Sequence, residues 1–257
     1  MTFGNVILDV DGTLVRGDEP IPGAADAVER LREAGRDVLL FSNNPTRAPV
    51  DYADWLAELG FAVAPEEILT CGAVTADYLA AEFPVSPTFV VGERGLRALL
   101  RDRGIDLTSD PDAAEVVVAS IDREFDYDRL RDALWALDGA TFVATDPDRT
   151  IPAVDRPVPG SGAIVAAVGG AADRDPDATL GKPSERAGRA ALARLDAAPG
   201  DCLVVGDRLD TDLAMGERAG MRTALVLTGV ATKVDAEQAS APPDFVLDSV
   251  ADVDELL

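Results

Sequence analysis

Short apolar runs that stop abruptly at polar or acidic residues restrict the possible folds of this chain more than any other pattern in it. Residues 6–8 and 38–41 form two such runs, and helical spacing of apolar residues follows each of them, at 23–34 and 50–59. Continuous apolar runs of this length predict strands buried on both faces of a parallel sheet. Strands that alternate with amphipathic helices indicate a doubly wound α/β fold.

The same alternation returns towards the end of the chain. Strands are predicted at 202–205 and 223–227, with an edge strand at 245–247. The middle, about 72–177, has strands and helices of its own, so the pattern alone allows either one continued sheet or an inserted domain. The Asp-rich segment 171–178 predicts an exposed linker back to the first part of the fold.

Charge and composition exclude several classes of function. The net charge is −24, with 47 acidic and 23 basic residues, which disfavours nucleic acid as a partner because phosphate backbones need a positive surface. The acids are scattered, so we interpret them as a solvated surface suited to high salt, where the Debye length falls to about 3 Å at 1 M, and we infer a halophilic host. A cationic partner is the alternative.

The residue types that are absent or rare are also informative. The chain has no histidine, which excludes serine–histidine triads, histidine-based phosphatases and zinc held by histidine. Acid–base chemistry must therefore depend on carboxylates or lysine. Two cysteines are too few for a disulfide framework, and no apolar stretch reaches the roughly 20 residues that cross a bilayer. We expect a cytoplasmic protein with no membrane partner.

The first candidate motif is Asp9-Val10-Asp11-Gly12-Thr13, directly after the first predicted strand. Ligands of open α/β sheets bind beyond the carboxyl ends of the strands, so both carboxylates are expected in that crevice. One aspartate can attack phosphorus, while the other protonates the leaving oxygen and then activates water. The alternative is a turn that merely favours Asp and Gly.

Two further motifs follow the same logic. Ser42-Asn43-Asn44 comes directly after the second strand, and a hydroxyl with nearby amide donors suits phosphate oxygens. Lys182 is one of only two lysines, and its compact ammonium can stabilise a transferring phosphoryl group. An ordinary loop start and a lone surface lysine are the respective alternatives.

A fourth motif, residues 206–212, follows the strongest apolar strand of the C-terminal half. Asp207 is placed to supply one magnesium ligand and Asp212 to hold a metal-bound water, since Mg²⁺ prefers a few carboxylates plus water. Helix capping by aspartate is the alternative, and Asp210 is expected to be such a cap or a surface acid. Together the four motifs supply what transfer of a phosphoryl group needs: a nucleophile, an acid–base partner, a cation and a metal site.

These motifs resemble those of the haloacid dehalogenase (HAD) superfamily of phosphohydrolases. The residues that carry the resemblance are Asp9, Asp11, Gly12, Thr13, Ser42, Lys182, Asp207 and Asp212. The resemblance implies that Asp9 is the nucleophile and Asp11 the general acid and base. It also implies Mg²⁺ bound by Asp9, Asp207 and the backbone carbonyl of Asp11, with Asp212 in the inner or outer metal shell. Thr13, Ser42, Asn43, Asn44 and Lys182 are then expected to contact the phosphate.

Spacing resembles subfamily IIA, the para-nitrophenylphosphatase-like and sugar-phosphatase-like enzymes. Only positions 14–41 separate the first two motifs, whereas positions 43–181 leave ample room for a cap before Lys182. This implies a Rossmann-like core at 1–71 and 178–257, with an α/β cap of the C2 type at 72–177 that closes over the site. Asp146, where relatives carry asparagine, is expected to face the substrate.

The implied function is hydrolysis of a small phosphorylated metabolite, such as a sugar phosphate. A phosphomutase and a non-catalytic protein that binds a phosphate ligand are the alternatives. A homodimer stays open, because related caps often dimerise.

Overall fold

The computed structural model describes residues 3–151 and 156–256. Its strands, in chain order, are β1 (Asn5–Leu8), β2 (Val15–Arg16), β3 (Glu19–Pro20), β4 (Asp37–Ser42), β5 (Ile68–Thr70), β6 (Thr88–Val91), β7 (Leu107–Thr108), β8 (Val116–Ala119), β9 (Thr141–Ala144), β10 (Thr150–Ile151), β11 (Val158–Pro159), β12 (Ala178–Thr179), β13 (Cys202–Gly206), β14 (Arg222–Val226) and β15 (Phe245–Leu247).

The helices are α1 (Ala24–Glu33), α2 (Pro49–Glu58), α3 (Cys71–Glu82), α4 (Arg94–Asp102), α5 (Tyr127–Ala136), α6 (Ser161–Ala172), α7 (Glu185–Leu195), α8 (Ala214–Ala219) and α9 (Lys233–Gln238). Short 3₁₀ turns and one π turn join them, at Pro65–Glu67, Pro111–Ala113, Pro199–Asp201, Val250–Leu256 and Leu209–Leu213. In the described part of the chain, none of these helices combines the length and apolar character that crossing a bilayer requires.

The chain divides into two compact units. The first comprises Met1–Ser42, Pro49–Leu69 and Lys182–Leu257, and the second comprises Asn43–Ala48 and Thr70–Gly181. The boundaries expected from the sequence, between residues 71 and 72 and between residues 177 and 178, differ from the bounds of these two units. The linker expected to end at 178 enters a strand instead, because Ala178 pairs with Val143 of β9 in the second unit.

The first unit contains a six-stranded sheet in the order β15-β14-β13-β1-β4-β5. The pairs β1–β4, β1–β13, β13–β14 and β14–β15 are all parallel, and β15 lies at one edge as expected. Helix α1 buries Ala27, Val28 and Leu31 against this sheet. The doubly wound α/β prediction for this unit is therefore confirmed.

The register of the three central strands determines which residues of the sequence motifs come together. Leu8 at the end of β1 pairs with Leu40 of β4 and with Val205 of β13. The residues that follow these positions therefore emerge side by side at one edge of the sheet. The strand order also reverses here, because β4 and β5 extend the sheet to one side of β1 and β13 to β15 extend it to the other. Ligands bind at such switch points.

The second unit has its own sheet, with the strand order β12-β9-β8-β6-β7. The strand pairs of this five-stranded sheet are all parallel, whereas β10 and β11 form a separate antiparallel pair. Phe142, Val117 and Val168 lie in a buried cluster to which β8, β9, α5 and α6 contribute. This unit has a core of its own, and it carries the strands and helices expected for the middle of the chain.

Candidate active site

Asp9 lies at the centre of a buried polar cluster at the carboxyl edge of the first sheet. Its backbone N–H continues the β1 ladder and donates to Val205 O at 2.9 Å, while its side chain turns into the crevice. Asp9 Oδ1 accepts a hydrogen bond from Lys182 Nζ at 2.6 Å, and Oδ2 accepts one from Thr13 Oγ1 at 3.2 Å. Sequence motifs more than 160 residues apart therefore meet at one carboxylate.

Lys182 is anchored by three acceptors. Besides Asp9, its ammonium lies 2.6 Å from Asp212 Oδ1 and donates to Phe41 O at 2.7 Å. The side chain is 3 % exposed. Burial alone would lower the pKa of Lys182, but Asp212 and Asp9 outweigh it and raise the pKa above its ordinary value, so the group stays cationic. The alternative of a lone surface lysine is thereby excluded.

Asp207 and Asp212 follow β13, where the fourth motif placed them. Asp212 Oδ2 accepts from the backbone N–H of Arg208 at 3.2 Å, and Asp207 Oδ2 accepts from that of Val230 at 2.7 Å. Asp207 Oδ1 is buried and has no hydrogen-bond partner among the described residues. Asp210 is exposed and pairs with Arg208, as expected for a surface acid.

One ligand oxygen from each of Asp9, Asp207 and Asp212 lies within 4.8 Å of the others. Burial, followed by repulsion from its two acidic neighbours, raises the pKa of Asp207 to about 8. Burial and Asp9 raise the pKa of Asp212 to about 6. Burial also raises the pKa of Asp9, and attraction to Lys182 opposes the rise. Three carboxylates around one ammonium leave negative charge uncompensated, which a bound cation would neutralise.

Glycines allow the chain to pass close to this cluster. Gly12 has a φ of 97°, in the left-handed region, and a Cβ there would lie 2.7 Å from Asp207 Cγ. A Cβ at Gly229 would overlap the same carboxyl group. Thr228 Oγ1 joins the two loops by donating to Gly12 O at 2.6 Å. Sequence reasoning identified Gly12 but not the 228–230 loop, whose contacts are made by backbone atoms and one threonine hydroxyl that no motif marks.

Asp11 and Ser42 lie beside the cluster, together with a residue that the motifs did not identify. Asp11 is exposed, and Ser42 Oγ lies 3.4 Å from its Oδ2. The hydroxyl of Tyr52, from α2, lies 3.1 Å from Ser42 Oγ and 3.5 Å from Asp11 Oδ2. Tyr52 occupies an apolar helix position, so its sequence signal is that of a core residue.

Three predicted substrate-binding residues lie in the second unit. Asn44 Oδ1 accepts from the backbone and hydroxyl of Thr46 at 2.9 and 2.8 Å, and Asn43 Nδ2 donates to Asp148 Oδ2 at 3.2 Å. Asp146 is 1 % exposed. Burial and the nearby Asp148 raise the pKa of Asp146 to about 7.

Comparison with known proteins identifies the family of this chain. A family model described as haloacid dehalogenase-like hydrolase matches residues 6–106, and a second, HAD-hydrolase-like, matches 179–253. The sugar-phosphatase AraL of Bacillus subtilis is 34 % identical over 98 % of this chain and 92 % of its own length. The chain is also similar to a solved p-nitrophenyl phosphatase from Archaeoglobus fulgidus, with 37 % identity, a TM-score of 0.94 and full coverage of both chains.

The NagD protein from E. coli K-12 is a further structural neighbour. It is 32 % identical and aligns with a TM-score of 0.88 over 98 % of both chains. The resemblance drawn from the motifs is therefore confirmed, and this chain belongs to the haloacid dehalogenase-like hydrolases, among the p-nitrophenylphosphatase and NagD relatives of that family.

Proposed function

We propose that this protein is a magnesium-dependent phosphatase that hydrolyses a small organic phosphomonoester through a phospho-aspartate on Asp9. The observation that carries the proposal is the buried group of Asp9, Asp207 and Asp212 around Lys182. As a phosphoric monoester hydrolase, the enzyme would use this group to hold a phosphoryl unit in line with the Asp9 carboxylate. The names of the relatives, sugar phosphatase and p-nitrophenyl phosphatase, support the same reaction class.

The acidic cluster fits a hard divalent cation. Its ligands are carboxylate oxygens, as Mg²⁺ prefers, and Asp207 Oδ1 is a buried oxygen without a hydrogen-bond partner among the described residues. Asp9, Asp207 and the backbone carbonyl of Asp11 would hold the ion, with Asp212 beside them. When bound, Mg²⁺ would neutralise charge on the phosphoryl oxygens and orient them.

The chemistry on the protein's own residues has two halves. Asp9 Oδ attacks phosphorus while the bond to the leaving oxygen breaks, and Asp11 gives its proton to that oxygen. Asp11, now a carboxylate, takes a proton from water as the water oxygen bonds to phosphorus and the Asp9–phosphorus bond breaks. Inorganic phosphate leaves, and Asp11 is protonated again. Thr13 and Ser42 would donate to phosphoryl oxygens, and Lys182 would hold Asp9 and offset the developing charge.

The second unit is the candidate cap, which would exclude water and select the organic part of the substrate. We assign Asp146 to that selection, and we keep the motif's assignment of Asn43 and Asn44 to the phosphate. Two curated relatives carry names of sugar phosphatases, which favours a sugar phosphate as the substrate class. A carboxyl at position 146 rather than the amide expected from the family pattern would give this enzyme its own preference within that class.

A phosphate-release screen across a panel of phosphorylated metabolites tests the proposal. Activity should require Mg²⁺, disappear with EDTA and return when the ion is restored. Asp9→Asn should remove nearly all turnover while leaving the fold intact. Retained phosphatase activity in Asp9→Asn would refute the mechanism, and an isomerised sugar phosphate in place of free phosphate would indicate a mutase.

A further inference from the structure

Packing in the core explains the ring of Tyr52 but not its hydroxyl group. The ring is 1 % exposed and belongs to the core that α2 forms against the first sheet. Trp55 meets it edge to face, with the ring centroids 5.3 Å apart. A phenylalanine would fill this space equally well, and a buried phenol costs free energy unless it finds a partner.

Two partners of the hydroxyl are residues of the candidate active site. Tyr52 Oη lies 3.1 Å from Ser42 Oγ and 3.5 Å from Asp11 Oδ2, and Ser42 Oγ lies 3.4 Å from the same Asp11 oxygen. These three oxygens form a closed triangle at the end of β4. The distances are long for hydroxyl hydrogen bonds, as is common before substrate binds and such contacts shorten.

From this triangle we infer that Tyr52 is a positioning residue for the general acid and base Asp11, an inference that rests on the proposed phosphatase function. Ser42 has one proton. Once that proton is donated to a phosphoryl oxygen, Ser42 no longer holds Asp11. Tyr52 also has one proton, for which Ser42 Oγ and Asp11 Oδ2 are alternative acceptors, and in the proposed arrangement it donates that proton to Asp11 Oδ2. A carboxyl that accepts at Oδ2 carries its acid proton on Oδ1, from which it passes to the leaving oxygen.

Tyr52 is held by the core, whereas Asp11 is open to solvent. Asp11 is exposed on the loop after β1, whereas the Tyr52 ring is fixed by the packing of α2, which starts at Pro49. A fixed donor restricts the orientations of the exposed carboxyl to those that face the scissile bond. This reduces the entropy lost on reaching the transition state.

Substrates with different leaving groups distinguish a positioning role of Tyr52 from a merely structural one. Para-nitrophenolate departs without protonation, whereas the alkoxide of a sugar phosphate needs the Asp11 proton. The test compares para-nitrophenyl phosphate with a hexose phosphate that is a substrate of the wild type. Tyr52→Phe should lower kcat/KM for both, or for the hexose phosphate alone, and the loss should be about 3- to 10-fold larger for the hexose phosphate. This is the range expected for one lost hydrogen bond. The ratio of the two constants does not depend on the fraction of folded enzyme.

Trp55→Phe is the matched control, because it changes the packing around the Tyr52 ring and keeps the hydroxyl. It should leave the ratio of the two kcat/KM values unchanged. Equal losses on both substrates in Tyr52→Phe, or none, would overturn the inference while the phosphatase activity itself stood. A wild-type protein that hydrolysed neither substrate would refute the proposed function and this inference with it.

Discussion

Replacing Asp146 with asparagine should stabilise the protein by an amount that grows as the pH rises from about 4 to 7 and is largest above pH 7. Asp146 is buried in the second unit, where its oxygens accept from Thr145 Oγ1 at 2.9 Å and from the Asp148 N–H at 3.2 Å. No cation is among the causes that act on its pKa, and Asp148 adds repulsion. The ionised form is therefore the costly one, and an amide of the same shape removes that cost.

The magnitude follows from the two pKa values. The carboxyl ionises near 3.8 in the unfolded chain and at about 7 in the folded protein. Below pH 3.8 both states keep the proton, so Asp146 costs nothing. Between about 3.8 and 7 the unfolded chain loses the proton first and stability falls with rising pH, until above 7 the whole cost is present. At 1.36 kcal/mol per pH unit this cost reaches about 4 kcal/mol.

Part of this stabilisation is lost because asparagine makes different hydrogen bonds from aspartate. Its amide group must face Thr145 Oγ1, which can accept from it and still donate to Ser120 Oγ at 2.9 Å. Allowing about 1 kcal/mol for this exchange of hydrogen bonds, the net stabilisation at pH 8 is about 3 kcal/mol. At pH 4 the variant should have no advantage.

Urea unfolding at fixed salt, followed from pH 4 to 8.5, measures this difference. Asp175→Asn removes an exposed carboxyl from the same unit and is the control for the change in net charge. A stability difference between Asp146→Asn and wild type that did not grow with pH would refute the reasoning. A variant less stable than wild type at pH 8 would do the same.

Three further predictions concern the first unit and the surface. Lys182→Met should lower kcat at least 100-fold, because the buried carboxylates of Asp9 and Asp212 lose their cation; the loss should be absent if the lysine only fills space, which steady-state kinetics decides. Saturating Mg²⁺, at about 100 times its Kd, should raise the free energy of unfolding by about 2.7 kcal/mol in wild type and by much less in Asp207→Asn, measured by thermal melts with and without EDTA; equal shifts would remove Asp207 from the metal site. Raising KCl from 0.1 to 1 M should raise the Tm, since the Debye length falls from about 10 to about 3 Å around a chain of net charge −24, and an unchanged or lower Tm would contradict a surface adapted to salt.

The parts of the fold that the sequence predicted are those with a local signal. Residues 6–8, 38–41 and 202–205 are apolar throughout because parallel strands are buried on both faces, and all three are strands in the structure. Polar residues directly after such strands must emerge at one sheet edge. For this reason Asp9, Ser42 and Asp207 could be grouped before the structure was known.

Features that depend on tertiary contacts could not be predicted in this way. Helix α3 lacks a clear polar face, because it buries residues on several sides, and no helix was expected there. The strand at Ala178–Thr179 is two residues long, too short for a periodic pattern, so the chain was expected to leave the second unit too early. The Phe41 carbonyl and the Val230 N–H are backbone groups that carry no residue-type signal.

Tyr52 shows the same limit inside the site. In α2 its neighbours Ala53 and Leu56 are buried apolar residues, so a tyrosine at this position is indistinguishable from a core residue until its hydroxyl is located. Only the closeness of its oxygen to Ser42 and Asp11 separates the two interpretations.

Trapping the phosphorylated enzyme tests most directly whether Asp9 is the nucleophile. Asp11→Asn should still be phosphorylated by para-nitrophenyl phosphate, whose leaving group needs no acid, and should release phosphate slowly because no carboxylate activates water. Quenching in acid, reducing with borohydride and mapping peptides by mass spectrometry should then show homoserine at position 9. The account would be contradicted if position 9 remained an unmodified aspartate while phosphate was still released, whether homoserine appeared at another position or at none.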